Sequence, residues 1–369
     1  MVEKKDLISV ADVQYGYPFE SSLFTEDETF IPLIRIRDVK PGLPSTYYSG
    51  EYSSEYIIRK GDILVGMDGE FNLAKWKSRD GLLNQRVLKL SGKNNICNSG
   101  YLYHYMGPVF KKIELQTAGG SVKHLSAKVI NKIQIPIPPL SEQNRIVDIL
   151  ETFTESIENL KKQITERKKQ YEHYRDQLLD LEGKPGVKRI KLGDIGDVCM
   201  CKRIMKMQTS DEGEIPFYKI GTFGGTADAY ISKKLFEDYK SRFSYPKKGD
   251  ILISAAGTIG RSVIFNGEDA YFQDSNIVWI DNDESIVSNK FLYYIYQIID
   301  WKTDGGTIKR LYNYNLINTI IPIPFLSEQS RIISILETFE KSIANLEQQL
   351  SLRQKQYEYY RNMLLTFDE

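Results

Sequence analysis

The chain has 369 residues, enough for about two domains of ordinary size. Hydrophobic residues make up 41% and aromatics 12%, with 24 tyrosines, so a packed core is expected and wholesale disorder is excluded. Lys plus Arg and Asp plus Glu both number 49, so the formal net charge is zero. Composition alone therefore does not announce a nucleic-acid binder, whose usual footprint is a basic excess. Residues 1–140 carry 18 basic against 15 acidic side chains, and residues 181–326 carry 19 against 18, so no region hides a strong bias. No apolar run reaches the roughly 18 residues of a membrane span. The start of the chain, Met1 to Asp6, lacks a signal-peptide core, and a cytoplasmic location without membrane association is the expectation.

Three cysteines, Cys97, Cys199 and Cys201, are too few for a disulfide framework. Cys199 and Cys201 form a C-x-C pair with no second Cys or His group to complete a zinc site, so no metal is expected.

In chain order, the first stretch reads as mixed α+β. Phe30 to Ile36, Asp62 to Val65 and Arg86 to Leu90 have strand length and flanking turn signals. A helix follows near Gly100 to Phe110, and a closing strand spans Ile133 to Ile137. Next comes a long segment opened by IPIPPLSEQ, with Ser141 as the expected N-cap and Glu142 in the first turn, where the helix dipole favours an acid. Ile146, Ile149, Phe153, Ile157, Leu160, Ile164, Tyr171, Tyr174 and Leu178 recur at alternating steps of three and four, with Arg167 filling one slot, the spacing of a coiled-coil seam. Roughly 38 such residues make a rod of about 57 Å. Gly183-Lys184-Pro185-Gly186 ends it. The second stretch repeats the plan, with strands at Asp250 to Ser254, Asn276 to Ile280 and Thr319 to Ile323, and a helix near Ser288 to Ile299.

The chain is an internal duplication. Residues 135–151, IPIPPLSEQNRIVDILE, return as residues 321–337, IPIPFLSEQSRIISILE, at an offset of 186 that persists without a gap to Leu179 and Leu365. Upstream the match is looser. Lys60-Gly61-Asp62-Ile63-Leu64 answers to Lys248-Gly249-Asp250-Ile251-Leu252, and Tyr101-Leu102-Tyr103 to Phe291-Leu292-Tyr293. The second seam, Ile332 to Leu364, copies the first. A seam needs a partner, and the second helix packed on the first must run antiparallel to it. The expected architecture is α+β: two strand-rich domains, 1–140 and 183–326, each followed by a long spacer helix, 141–182 and 327–369. The two helices form an antiparallel coiled coil, with a pseudo-twofold relation between the halves.

Two divergent domains with a K-G-D-I-L motif, each followed by I-P-I-P-x-L-S-E-Q-x-R-I and a long helix, resemble the specificity subunits of type I restriction-modification systems. The resemblance covers essentially the whole chain. It implies a non-catalytic protein that binds double-stranded DNA at a bipartite asymmetric site, one half-site per target-recognition domain. The paired helices would fix the gap and dock two methyltransferase subunits, and restriction/translocase subunits would join them. S-adenosylmethionine, ATP and Mg would belong to those partners and no cofactor to this chain. A spacer of that length is compatible with half-sites about one DNA turn, roughly 34–36 Å, apart. An adaptor for a fused nuclease-methyltransferase, and a protein-binding scaffold with no DNA role, are the competing readings.

The residues themselves offer no active site. Gly66 to Gly69 and Ala255 to Gly260 are small-residue loops without a P-loop Lys-Ser/Thr, and His104, His124 and His173 do not pair at metal-ligand spacing. For DNA, positions matched between the halves suit phosphate contact, because both domains meet the same backbone. These are Ser121 and Lys123 with Thr307 and Lys309. Unmatched polar positions suit base reading. In the first domain these are Arg35, Arg37, Lys75, Lys77, Arg79 and Arg86. In the second they are Lys202, Arg203, Lys206, Lys219, Arg261, Arg310, Tyr312 and Asn313.

Overall fold

The computed structural model describes residues 2–116, 123–304 and 309–367. Its contacts divide the chain into two units, residues 1–161 with 348–369, and residues 162–347. Each unit thus holds one divergent segment, the start of one long helix and the end of the other.

In the first unit, alternating residues of Ala11–Tyr15, Val87–Gly92, Ile63–Gly66 and Leu73–Lys75 build a four-stranded antiparallel sheet in that spatial order. One face buries Val65, Leu88 and Leu90 against Tyr101, Leu102, Met106 and Phe110 of the helix Ser99–Gln116. The other face carries Leu64 and Val87, which pack with Trp76, Ile34 and Leu83 under a second sheet. That sheet runs Phe24–Thr25, Tyr47–Tyr48, Ile31–Ile34, Gly81–Leu83, Ile57–Ile58, with Ile31–Ile34 and Gly81–Leu83 parallel. Each of these fully buried side chains stabilises by about 1.5–3 kcal/mol relative to exposure, before chain entropy is counted.

The second unit repeats the frame. Gly196–Met200, Ile277–Asn282, Ile251–Ser254 and Ser262–Ile264 form the same four-stranded order, backed by the helix Asn289–Tyr296. Its second sheet is smaller, Tyr230–Ile231, Ile215–Tyr218 and Tyr271–Phe272, and again contains one parallel pair. A helix, Lys233–Arg242, packs Phe236 into the aromatic core beside it. Sequence reasoning did not anticipate that helix.

In both units a two-stranded antiparallel sheet delivers the chain to a long helix: Lys4–Asp6 with Gln134–Pro136, and Lys188–Lys191 with Ile320–Ile323. The long helices span Leu140–Leu179 and Leu326–Leu365. Each starts one residue before the serine expected to cap it. The carbonyls of Pro139 and Phe325 accept the first bonds instead, from the backbone amides of Glu142 and Gln143 and of Glu328 and Gln329. The next residue of the motif is the one that ties helix to domain. Gln143 is fully buried; its Oε1 accepts from the Asn98 amide at 2.8 Å, and its Nε2 donates to the carbonyls of Ile96 and Pro138 at 3.0 and 2.9 Å. Gln329 does the same with Ser288, Ile286 and Pro324, at 2.9, 3.0 and 2.9 Å. Glu142 and Glu328 hold Arg145 and Arg331 one turn on, at 2.7 Å.

Within each unit the two long helices are antiparallel. In the second, Tyr174 stacks on Phe339 with centroids 5.3 Å apart, while Lys168, earlier in its helix, meets Glu347, later in the other, at 2.7 Å. Arg167, the polar residue in the seam, lies over the Phe339 ring at 5.9 Å, which explains its place among apolar positions. The first unit has the repeat-related set: Phe153 stacked on Tyr360 at 5.1 Å, with Arg353 over Phe153 at 5.6 Å.

Candidate nucleic-acid interface

The strand Gly81–Leu83 belongs to one sheet of the first unit and Val87–Gly92 to the other, so the chain must turn sharply between them. The turn is Asn84-Gln85-Arg86. Its first residue is buried and accepts the Gln85 amide on Oδ1 at 2.9 Å; the next two are exposed. Arg86 has φ +72°, the left-handed region, which costs a non-glycine residue roughly 1–2 kcal/mol. The second unit turns at the same place through Gln273-Asp274-Ser275-Asn276, with Ser275 at φ +54°. The turns are equivalent by their bonds: the Arg86 carbonyl accepts from the Met67 amide, and the Asn276 carbonyl from Ala255, at 2.8 Å in each.

Each turn is braced from the same direction. His124 Nδ1 reaches Asp68 at 2.5 Å, and Asp68 meets Arg86 Nε at 3.5 Å. Arg310, which stands 186 positions after His124, donates directly to the Ser275 carbonyl and hydroxyl at 3.1 Å and to Asn276 Oδ1 at 2.8 Å. The loop after the first long strand also approaches each turn. The Gln85 amide donates to the Tyr17 carbonyl at 2.8 Å, and Arg203 pairs with Asp274 at 3.4 Å.

In the first unit the turn forms one wall of a cleft of about 510 Å³. Arg35, Arg37 and Arg86 line it with Asn84 and Gln85, and no carboxylate among the described residues does. Arg37 is fixed by Nε donating to Ser45 Oγ and a terminal nitrogen to Thr46 Oγ1, both at 2.8 Å. Arg35 lies over the Phe24 ring at 5.9 Å.

The structure thus gathers Arg35, Arg37 and Arg86 in one place, and Arg203 and Arg310 around the equivalent turn. It puts other proposed residues elsewhere. Lys75 contacts Glu151 and Lys77 reaches Glu158 at 3.3 Å, both carboxylates on the long helix. The Arg79 guanidinium donates to the carbonyls of Glu28 and Phe30 and lies over Tyr47. Lys123 is half-buried, 3.9 Å from Glu114. Lys202 sits over the Phe243 ring at 5.1 Å, Lys219 pairs with Asp228 at 2.8 Å, and Arg261 donates to the Phe223 carbonyl at 2.9 Å. Lys206, Lys309, Tyr312 and Asn313 are exposed, with Tyr312 stacked on Tyr314. Ser121 and Thr307 lie outside the described residues.

Sequence reasoning missed Gln85 and Asp68 in the first unit and Gln273 to Asn276 in the second. A signal was present: in GLLNQRVLKL and YFQDSNIVWI a short polar run splits two apolar stretches at matched positions. The described residues contain no grouping of three or more His, Cys, Asp or Glu that could hold a metal. Burial pushes the thiols of Cys97 and Cys201 up to about 11 and about 12, so both are protonated and inert at neutral pH. No helix among the described residues is long and apolar enough to cross a membrane.

The family described as "Type I restriction modification DNA specificity domain" matches residues 1–167 and again 185–353. The chain belongs to this family. DNA recognition is the role of these specificity subunits, which are themselves non-catalytic. Among similar proteins, a type I restriction enzyme specificity subunit of Haemophilus influenzae is 44% identical over 385 residues, spanning 99% of this chain and 96% of its own. The EcoBI specificity subunit of Escherichia coli is 27% identical over 93% of this chain and 80% of its own. Among solved structures, the S subunit of a type I system from M. genitalium superposes with a TM-score of 0.64 at 16% identity, covering 100% of this chain and 96% of that one. A chain from a study of type I complex assembly and conformational transition gives 0.59 at 18% identity, covering 98% and 96%. These likenesses establish the fold of the specificity subunit for this chain.

Proposed function

We propose that each unit of this specificity subunit reads one half of a bipartite, asymmetric DNA site, and that the long helices fix the gap between the halves. Two methyltransferase subunits dock on the helices, and restriction/translocase subunits complete the assembly. S-adenosylmethionine, ATP and Mg act in those partners, in the cytoplasm, and this chain binds no cofactor of its own. The observation that supports two readers is a matched frame with divergent contents. Equivalent turns stand on equivalent sheets, yet one offers Gln85 and Arg86 where the other offers Ser275 and Asn276. Two different half-sites need different side chains on a common scaffold, because base edges are told apart by their donor and acceptor patterns.

Base-resolution methylation sequencing of cells expressing the chain with its cognate methyltransferase tests this reading. The expected result is a methylated motif of two short blocks separated by a fixed unread gap, lost when the chain is omitted. Methylation that persists unchanged without the chain, while the methyltransferase is active, overturns it.

A further inference from the structure

We infer that the turn Asn84-Gln85-Arg86 is the base-reading element of the first unit, with Arg86 taking a guanine and Gln85 an adjacent adenine in the major groove. The inference rests on the proposed reading of one half-site by this unit, and adds to it the residues and the bases.

The cleft beside the turn separates two kinds of arginine. Arg37 is held by two hydroxyls, one of which donates on to Asp38 at 2.6 Å, and it pairs directly with no carboxylate among the described residues, which suits a phosphate. Arg86 instead faces Asp68 through Nε, and its two terminal nitrogens have no partner among the described residues. A carboxylate 3.5 Å from Nε offsets part of the guanidinium charge and biases which edge of the group turns toward the fold. The group loses general attraction for phosphate and gains a set direction, as bidentate recognition of guanine O6 and N7 requires. Asp68 is itself held by His124, so the fork is braced from behind. Gln85 is exposed beside it, and its side-chain amide, one acceptor and two donors, is likewise without a described partner. That pairing capacity matches adenine N6 and N7.

Arg86 also occupies a backbone conformation that glycine adopts without cost. The residue at this position is unfavourable for the fold, and its presence is accounted for by what its side chain contacts. The second unit is different: Asn276 and Asp274 are engaged by Arg310 and Arg203, so its turn is closed on itself. The two units therefore do not read with the same positions.

The test uses the assembled complex with its methyltransferase, profiled at base resolution, for Arg86→Gly, Arg86→Lys and Gln85→Ala. Arg86→Gly removes the side chain and relieves the backbone, so thermal stability is expected to hold or rise. Both Arg86 variants are expected to relax one guanine position in one block by roughly ten- to a hundredfold, and Gln85→Ala an adjacent adenine, with the other block untouched. Arg37→Gln is expected to weaken binding to all sequences alike and reduce the salt slope by about one. A uniform loss of that kind from Arg86→Gly or Arg86→Lys makes Arg86 a phosphate contact and overturns the inference. So does an unchanged motif in all Arg86 and Gln85 variants, provided that replacing residues 2–139 by those of another specificity subunit still exchanges one block. If that replacement alters no block, the half-site reading itself fails.

Discussion

The two units close on their long helices with the same glutamine clamp but with different polar groups beside it. In the first, His104 is fully buried, with the Tyr357 hydroxyl 3.0 Å from Nδ1 and Glu151 3.5 Å from Nε2. The neutral tautomer that accepts from Tyr357 turns its Nε2–H toward Glu151, at a distance too long for a full hydrogen bond, and Lys75 caps the same carboxylate. In the second unit Tyr294 stands where His104 does. Its hydroxyl donates to Glu340 at 3.0 Å, and Tyr171, the repeat mate of Tyr357, donates to the same carboxylate at 3.2 Å. Thr154 occupies the position equivalent to Glu340 in the first helix. A junction built on two phenols and a carboxylate and one built on an imidazole both fill the joint, but the buried imidazole is neutral at neutral pH and gains a charge when it takes up a proton in acid, which the phenols do not. The difference teaches that the frame constrains the main chain and leaves the side-chain chemistry at the joint free to vary.

Removing the shared part should have the largest effect. Gln143→Ala and Gln329→Ala each orphan one buried amide and two carbonyls, and each is expected to destabilise its own unit by about 3 kcal/mol. Urea unfolding with a reporter in each unit checks this; a loss confined to the mutated unit supports two separately closed domains, and equal loss in both contradicts it.

Acid sharpens the contrast. Desolvation, with the neighbouring Lys75 and Arg361 charges, outweighs Glu151 and pushes the His104 pKa down from 6.5 to about 4. The folded value lies below the unfolded one, so this contribution is fully present above about pH 6.5 and is lost as pH falls toward 4, up to about 3 kcal/mol in all. The first unit is expected to lose stability over that window faster than the second. His104→Tyr should shrink the difference; an acid response unchanged by that variant would assign it to carboxylates instead.

The smallest effect is expected from Lys75→Ala. Its partner Glu151 is part-exposed, and such pairs contribute about 1 kcal/mol or less. If Lys75 serves the joint, the salt slope of DNA binding is unchanged in this variant; a slope reduced by about one would return Lys75 to the DNA-facing surface.

Much of this was legible in the sequence because it is periodic. The heptad seam, the strands at Asp62 to Val65 and Asn276 to Ile280, and the repeat itself are statements about residues a few positions apart. The clamp was not legible. Gln143 reads as an ordinary polar residue in a first helical turn, and only the path of the loop at Ile96 to Asn98, more than forty positions earlier, makes it a buried anchor. Leu150 was missed for a related reason: it lies off the seam and faces the domain, so one helix carries two apolar stripes for two neighbours. The candidate site was half legible. Arg35, Arg37 and Arg86 were visible as unmatched cations, but their meeting depends on pairing Ile31–Ile34 with Gly81–Leu83 across some fifty residues, which no local pattern encodes.

The clamp touches only main chain. Asn98, Ile96 and Pro138 in one unit, and Ser288, Ile286 and Pro324 in the other, contribute amides and carbonyls, and none of their side chains takes part in its bonds. These three bonds make no demand on residue identity. Any replacement module whose loop follows the same path presents the same three groups, whatever its sequence, and can be seated on an unaltered helix. The fitting is standardised so that what is plugged into it need not be.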